Sequence, residues 1–150
     1  MPGYLLDTNA LSILAPPAVP RNGSASDKAA FRAWVREHGE ELFLSAVTLA
    51  EIQAGVSQLQ RKGARRRAAD LSHWLAAILE LYHSRTLPLG SSAALETGRM
   101  LDRAISAGVA PGFEDAAIAG TAAVHGLTIV TANERHFKHF GVAFISPPVR

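Results

Sequence analysis

The sequence predicts an α/β fold, a parallel sheet covered by helices, with five candidate strands. Two observations predict it. Short β-type runs alternate with longer alanine-rich helical stretches along the chain, and alternation of this kind calls for a parallel sheet covered by helices. The chain has 150 residues, 48% hydrophobic and 19% charged, which is the size and composition of one domain, expected here over residues 1–150. A domain of this length buries roughly 68–70% of the surface of its unfolded chain and folds without a disulfide or a structural metal.

The elements follow in order. Candidate strands are Tyr4-Leu5-Leu6, Leu42-Phe43-Leu44, Thr86-Leu87-Pro88-Leu89, Leu127-Thr128-Ile129-Val130 and Val142-Ala143-Phe144-Ile145. Between them, broken by Gly and Pro, helical stretches are expected at Lys28 to His38, Val47 to Gln60, Ala64 to Tyr82, Ala93 to Ala107 and Asp115 to His125. Parallel neighbours joined this way are connected by right-handed crossovers. Ala15 to Ser26 holds three prolines, a glycine, an asparagine and two serines and is read as a surface connection. No internal repeat, low-complexity tail or domain boundary is visible.

Composition removes several classes of function. With no cysteine there is no cysteine nucleophile, iron–sulfur cluster or thiolate zinc site. No apolar run approaches the roughly 18 residues of a membrane span, and Met1-Pro2-Gly3 leads directly into the first strand without a basic, cleavable leader, so the expected compartment is the cytoplasm. The first strand is not followed by Gly-x-Gly-x-x-Gly, and neither a P-loop nor a Gly-x-Ser-x-Gly elbow occurs. A phosphoryl-accepting aspartate enzyme of the haloacid-dehalogenase type would carry a second Asp two residues after Asp7, where this chain has Asn9.

In open α/β sheets the site lies beyond the carboxyl ends of the strands. Asp7, Thr8 and Asn9 directly follow the first strand; Glu51 lies a little beyond the second; Asp115 opens the helix before the fourth; Thr131, Ala132 and Asn133 follow the fourth. Each acid also has a purely structural reading. Asp7 suits a turn or a helix cap, Thr48-Leu49-Ala50-Glu51 has the spacing of a capping box, and Glu114 and Asp115 suit the positive end of a helix dipole. Helix-end chemistry alone gives no reason for all of them to face one crevice. Carboxylates gathered there raise one another's pKa unless a cation lies between them, and an oxygen-only donor set favours Mg²⁺ or Mn²⁺ over zinc.

These segments resemble the PIN-domain ribonucleases, and within them the VapC-type toxins of toxin–antitoxin modules. The resemblance runs from about Tyr4 to Ile145 and is carried by Leu6-Asp7-Thr8-Asn9, by Ser45 to Glu51 and on to Gly55, by Asp115 to Ala122, and by Thr131 to Phe137. It implies a three-layer α/β/α sandwich on a five-stranded parallel sheet, a Mg²⁺- or Mn²⁺-dependent cut in RNA leaving 5′-phosphate and 3′-hydroxyl ends, a homodimer, and a small inhibitory antitoxin protein with which higher hetero-oligomers form. Carried over by position, Asp7, Glu51 and Asp115 match the family's acidic metal-site positions and Asn133 matches the fourth, with Asp7 and Asp115 holding the metal and Glu51 completing its shell. Thr8 would supply a neutral hydrogen bond to ligands or phosphate, and Asn9 is grouped with it as substrate-binding. Two departures stand out: the fourth position is the neutral Asn133, and His136 stands where an Asp commonly precedes the phenylalanine. The expectation is therefore one firmly held metal, with any second one recruited by substrate phosphate. Two other readings keep part of this picture: a PIN-like module that binds RNA or protein without cutting, and a housekeeping RNA or DNA nuclease.

Net charge is only +2, yet Arg61, Lys62, Arg65, Arg66 and Arg67 place five positive charges in seven residues. This cluster is open to three readings: a grip on the RNA backbone, a solvated helix face, or a surface for an acidic antitoxin. Arg99 and Arg103 share a helix face and are expected to serve the acidic site or phosphate. His136 and His139 are read as part of a surface turn, and Trp34 and Trp74 as packing residues.

Overall fold

The computed structural model describes residues 3–17 and 25–148. Five strands form one parallel sheet: β1 (Tyr4–Leu6), β2 (Leu42–Ser45), β3 (Thr86–Leu87), β4 (Thr128–Val130) and β5 (Phe144–Ile145), in the order β3-β2-β1-β4-β5. Among the described residues the α-helices are α1 (Thr8–Ile13), α2 (Ala25–Glu37), α3 (Ala46–Arg61), α4 (Arg65–Leu81), α5 (Ser91–Ser106) and α6 (Phe113–His125). Three-residue 3₁₀ turns lie at Gly39–Glu41, His83–Arg85 and Glu134–His136.

Because side chains alternate across a strand, neighbouring residues of β1 feed different cores. Leu6 joins Leu42, Leu44 and Val130 in a layer packed by Leu11 of α1, Phe31 of α2, Ile52 and Val56 of α3, and Leu75 and Ile78 of α4. Leu5 and Ile129 join the opposite layer with Met100 and Ala104 of α5 and the alanines of α6. The fold class is therefore the expected one. Trp34 and Trp74 pack against the first layer, as their sequence positions imply. Among the described residues no helix is long and apolar enough to cross a membrane.

The differences from expectation are local. Helix α1 has no counterpart among the expected helices: six residues are too few to show a helical period, and Asp7 starts it as a cap, its Oδ1 accepting from the Ala10 amide at 2.7 Å. The expected connection Ala15 to Ser26 is shorter than its composition suggests, because Ala25 and Ser26 already belong to α2; residues 18–24 lie outside the described residues. Strand β3 stops at Leu87 because Pro88, lacking an amide hydrogen, cannot continue a ladder. Strand β5 begins only at Phe144, two residues later than expected.

Helix α6 is buried from Ala116 through Ala122 and lies against α5. Small residues make that possible. A Cβ at Gly120 would stand 2.4 Å from Thr97 Oγ1 and 2.9 Å from the Ala93 carbonyl oxygen, so only glycine permits the approach. The helix ends at Gly126, whose φ of 65° places it in the left-handed region that favours glycine. Replacing Gly120 by Ala is expected to destabilise the protein by roughly 1–3 kcal/mol through overpacking. Gly98→Ala, on the exposed face of α5 with nothing within 4 Å, should stabilise it by roughly 0.4–1 kcal/mol. Thermal unfolding of the two variants against the wild type checks both signs.

Candidate active site

Parallel register brings three polar residues to one edge of the sheet. Leu6 pairs with Leu44 and with Val130, so the next residues along the chain, Asp7 and Thr131 just past β1 and β4 and Ser45 at the end of β2, stand side by side at the carboxyl edge of the sheet. All three are buried. Such groups need partners. Asp7 caps α1, and the Thr131 hydroxyl lowers the pKa of its carboxyl. Ser45 caps α3, its Oγ accepting from the Val47 amide at 3.1 Å. Thr131 Oγ1 accepts from the Asn133 amide at 2.9 Å.

Glu51 departs from its purely structural reading. Since Ser45 caps α3, no capping box forms, and Glu51 faces α1 instead: the Thr8 hydroxyl donates to Glu51 Oε1 at 2.6 Å and lies 3.2 Å from the hydroxyl of the buried Thr48. Thr8 thus ties the second acid to the residue next to the first. Asp115 sits in the first turn of α6, as its dipole reading implies, and its Oδ2 lies 2.9 Å from His136 Nδ1.

The three carboxyls resist ionising together. Burial raises the pKa of Asp7, partly offset by the hydrogen bonds from Thr131 and Ala10, and the charges of Asp115 and Glu51 raise it further. Burial also raises that of Glu51, offset by Thr8, with Asp115 and Glu114 adding to the rise. Asp115 is raised by burial and by Glu114 and lowered by His136. These acids therefore feel one another's field. Among the described residues no three His, Asp or Glu side chains already converge tightly enough to enclose an ion. The donor set is nevertheless suited to a hard divalent cation: it is all oxygen, partly desolvated and mutually repelling, and an ion such as Mg²⁺ keeps several of its own waters.

The other candidates are distributed as follows. Asn133 stands just beyond β4 and opens the 3₁₀ turn, and Asn9 is exposed on α1. Arg61 ends α3, Lys62 follows it, and Arg65 and Arg66 begin α4, all exposed. Arg67 differs, its guanidinium donating to the Pro16 carbonyl. A groove of about 360 Å³ runs from Thr8 and Glu51 between α3 and α4 to Arg67 and Trp74. The expectation for Arg99 and Arg103 is corrected: Arg99 pairs with Glu96 at 2.9 Å and Arg103 donates to the Phe140 carbonyl, so neither serves the acids.

The Glu114 charge and the His136 contact do not emerge as site features from sequence, and Thr131 emerges only by its position, with no role assigned to it. Thr131 has a signal, a polar residue at the same post-strand position as Asp7. The Glu114 charge and the His136 contact depend on how α6 meets the segment after β4, which no spacing encodes.

Comparison with known proteins follows the same lines. The PIN domain model matches residues 4–143. The chain is 28% identical over 144 residues to the VapC ribonuclease Y4jK of Sinorhizobium fredii (strain NBRC 101917 / NGR234), covering 95% of this chain and 96% of that one. It is 31% identical over 111 residues to Toxin FitB of Neisseria gonorrhoeae (strain ATCC 700825 / FA 1090), covering 72% and 76%. The crystal structure of FitAcB from Neisseria gonorrhoeae superposes with a TM-score of 0.78 at 30% identity, covering 96% of this chain and 97% of that one. Strand order, the acids at the carboxyl edge of the sheet and the family match over nearly the whole chain agree, and the protein belongs to the PIN domain family.

Proposed function

We propose that this protein is a metal-dependent endoribonuclease acting as the toxin of a toxin–antitoxin pair, with Asp7, Glu51, Asp115 and Asn133 at its catalytic site. The observation that carries the reading is the buried carboxyl of Asp7 at the end of the central strand, within the field of two further acids. Family membership and relatives named as a VapC ribonuclease and as a toxin support it. The partners that go with it are RNA, a small antitoxin protein and a second copy of this chain, in the cytoplasm.

Asp7 and Asp115 would hold Mg²⁺ or Mn²⁺, with Glu51 completing the set. A bound divalent ion supplies an acidified water and charge stabilisation at the phosphodiester. The Ala10 amide holds one oxygen of Asp7, Oδ1, at 2.7 Å. Thr8 leaves Glu51 Oε2 free of its own hydrogen bond, and Glu51 is the group placed to take a proton from the attacking water. The P–O3′ bond breaks as water adds to phosphorus, leaving 5′-phosphate and 3′-hydroxyl ends. Asn133 contributes a neutral hydrogen bond to phosphate or to a ligand. A module that binds RNA without cutting is the second reading, and the His136–Asp115 contact favours it, since that contact engages a carboxyl the reaction needs.

Purified protein is expected to cleave RNA with Mg²⁺ and not with chelator, and both Asp7→Asn and Asp115→Asn should reduce cutting to background in a gel assay on total RNA. Intact cleavage in Asp7→Asn would overturn the site.

Asp7→Asn should also stabilise the metal-free protein at neutral pH, because Asn keeps the cap on α1 and removes a charge that burial disfavours. The folded-state pKa of Asp7 lies above its unfolded value of 3.8, so its protonated form stabilises the fold at low pH and that contribution is lost as pH rises through the folded value. The melting-temperature gap between variant and wild type in chelator should therefore widen from about pH 4 towards pH 7.

Thr8→Val removes the hydroxyl that holds Glu51 and should lower kcat/KM by about 10–100-fold with little change in stability, the usual cost of losing a group that orients a ligand.

Replacing Arg61, Lys62, Arg65 and Arg66 with Gln tests the basic cluster. If these residues touch RNA, the dependence of log affinity on log salt should flatten by about 0.7 for each phosphate no longer neutralised, measured by fluorescence anisotropy on single-stranded RNA.

A further inference from the structure

At Asp115 the surface opens into a cavity of about 280 Å³ whose lining includes neither Glu51 nor Thr8. One wall is apolar: Val109, Ala110 and Pro111 from the connection between α5 and α6, together with Phe140. The other carries Arg135, His136 and His139 from the segment after β4. His136 is engaged by Asp115, whereas neither Arg135 nor His139 is in an ion pair among the described residues.

The side that carries Arg135 and His139 is held in place. Arg103 of α5 donates to the Phe140 carbonyl and so seats the turn that carries His139 and Phe140. The next residue, Gly141, has a φ of 73°, and a Cβ there would stand 2.7 Å from the Arg103 guanidinium. Phe140 is itself buried and meets Phe137 edge to face, their ring centres 6.1 Å apart. The cavity is thus a fixed feature rather than a gap between loose loops.

Resting on the nuclease reading above, we propose that this cavity receives the nucleotide next to the cut bond, its base against Val109, Ala110 and Pro111 and its phosphate on Arg135 and His139. Single-stranded RNA is read by splaying bases into pockets that combine flat or apolar walls with hydrogen-bond donors, and this cavity combines those elements. Its volume is near the lower end for small-molecule sites, which suits one nucleotide and excludes a helix. Electrostatics orients the occupant: Asp115 and Glu114 make the α6 side acidic, so a phosphate is directed to the Arg135 side. Asp115 lines the cavity and belongs to the acidic site, so a nucleotide held here continues directly into the bond to be cut.

The test uses the full chain, a short fluorescein-labelled single-stranded RNA of mixed sequence in chelator, and two variants: Arg135→Ala/His139→Ala and Ala110→Trp, which fills the cavity. Both variants should keep the Mg²⁺-induced rise in melting temperature, showing a folded protein with its acidic site intact, and both should weaken RNA binding about tenfold. The double variant should flatten the salt dependence by about 0.7, the value for one phosphate contact to a single strand. With Mg²⁺, mapping of cut sites should show the wild type's base preference at one position beside the cut and its loss in Ala110→Trp. Unchanged affinity together with unchanged base preference overturns the assignment, as does a wild type that binds no RNA or an RNA affinity lowered only by an added acidic peptide. A wild type that binds RNA through these residues but never cuts sinks the nuclease reading and leaves the cavity assignment standing.

Discussion

Asp7 places a carboxyl where water scarcely reaches it, at the end of the strand in the middle of the sheet. A buried acid of this kind must either take up a proton or find donors. The Ala10 amide donates to it at 2.7 Å and the Thr131 hydroxyl favours its charged form, and each comes from an element that the sheet register positions. The start of α1, the residue after β4 and the central strand therefore meet at one side chain. Moving any of them would leave either a carboxyl or a helix-end amide without its partner.

The same residue is both structural and a candidate for chemistry, and these are not rival accounts. Capping α1 fixes Thr8 in the first helical position, and Thr8 in turn holds Glu51 on the facing helix. A structural hydrogen bond thus becomes the means of setting the distance between two acids. The cost is electrostatic: three carboxyls whose pKa values are all raised sit in one field, which disfavours the metal-free protein at neutral pH and is relieved by a cation. His136 gives Asp115 a local partner, its Nδ1 2.9 Å from Asp115 Oδ2.

Around the acids the surface is asymmetric. The groove on the Glu51 side is lined mainly by aliphatic residues of α3 and α4 with Trp74 and ends at Arg67, while the cavity on the Asp115 side sets an apolar wall against an arginine and two histidines. The Asp115-side wall depends on α5, through Arg103, and α5 in turn depends on the glycine that lets α6 lie close against it. Packing remote from the acids thus shapes what surrounds them.

Much of the fold is legible in the chain itself. Apolar runs bounded by Gly and Pro, and helical stretches between them, are local features, and they locate all five strands and five of the six helices. Helix α1 escapes because one and a half turns hold too few residues for a period, though its cap at Asp7 is visible. The acids at Asp7, Glu51 and Asp115 are legible as polar residues beyond strand ends, since strand ends are set by local pattern. What the chain does not reveal is which partner each acid meets. Thr8 reaches Glu51 across 43 residues of sequence, and His136 reaches Asp115 only because α6 and the segment after β4 pack at the same edge. The capping-box spacing at Thr48 to Glu51 and the shared face of Arg99 and Arg103 point elsewhere, because spacing along one helix says which side chains are neighbours on it and not which surface lies opposite. That second fact is decided by how the layers close on the sheet, and only the tertiary structure contains it.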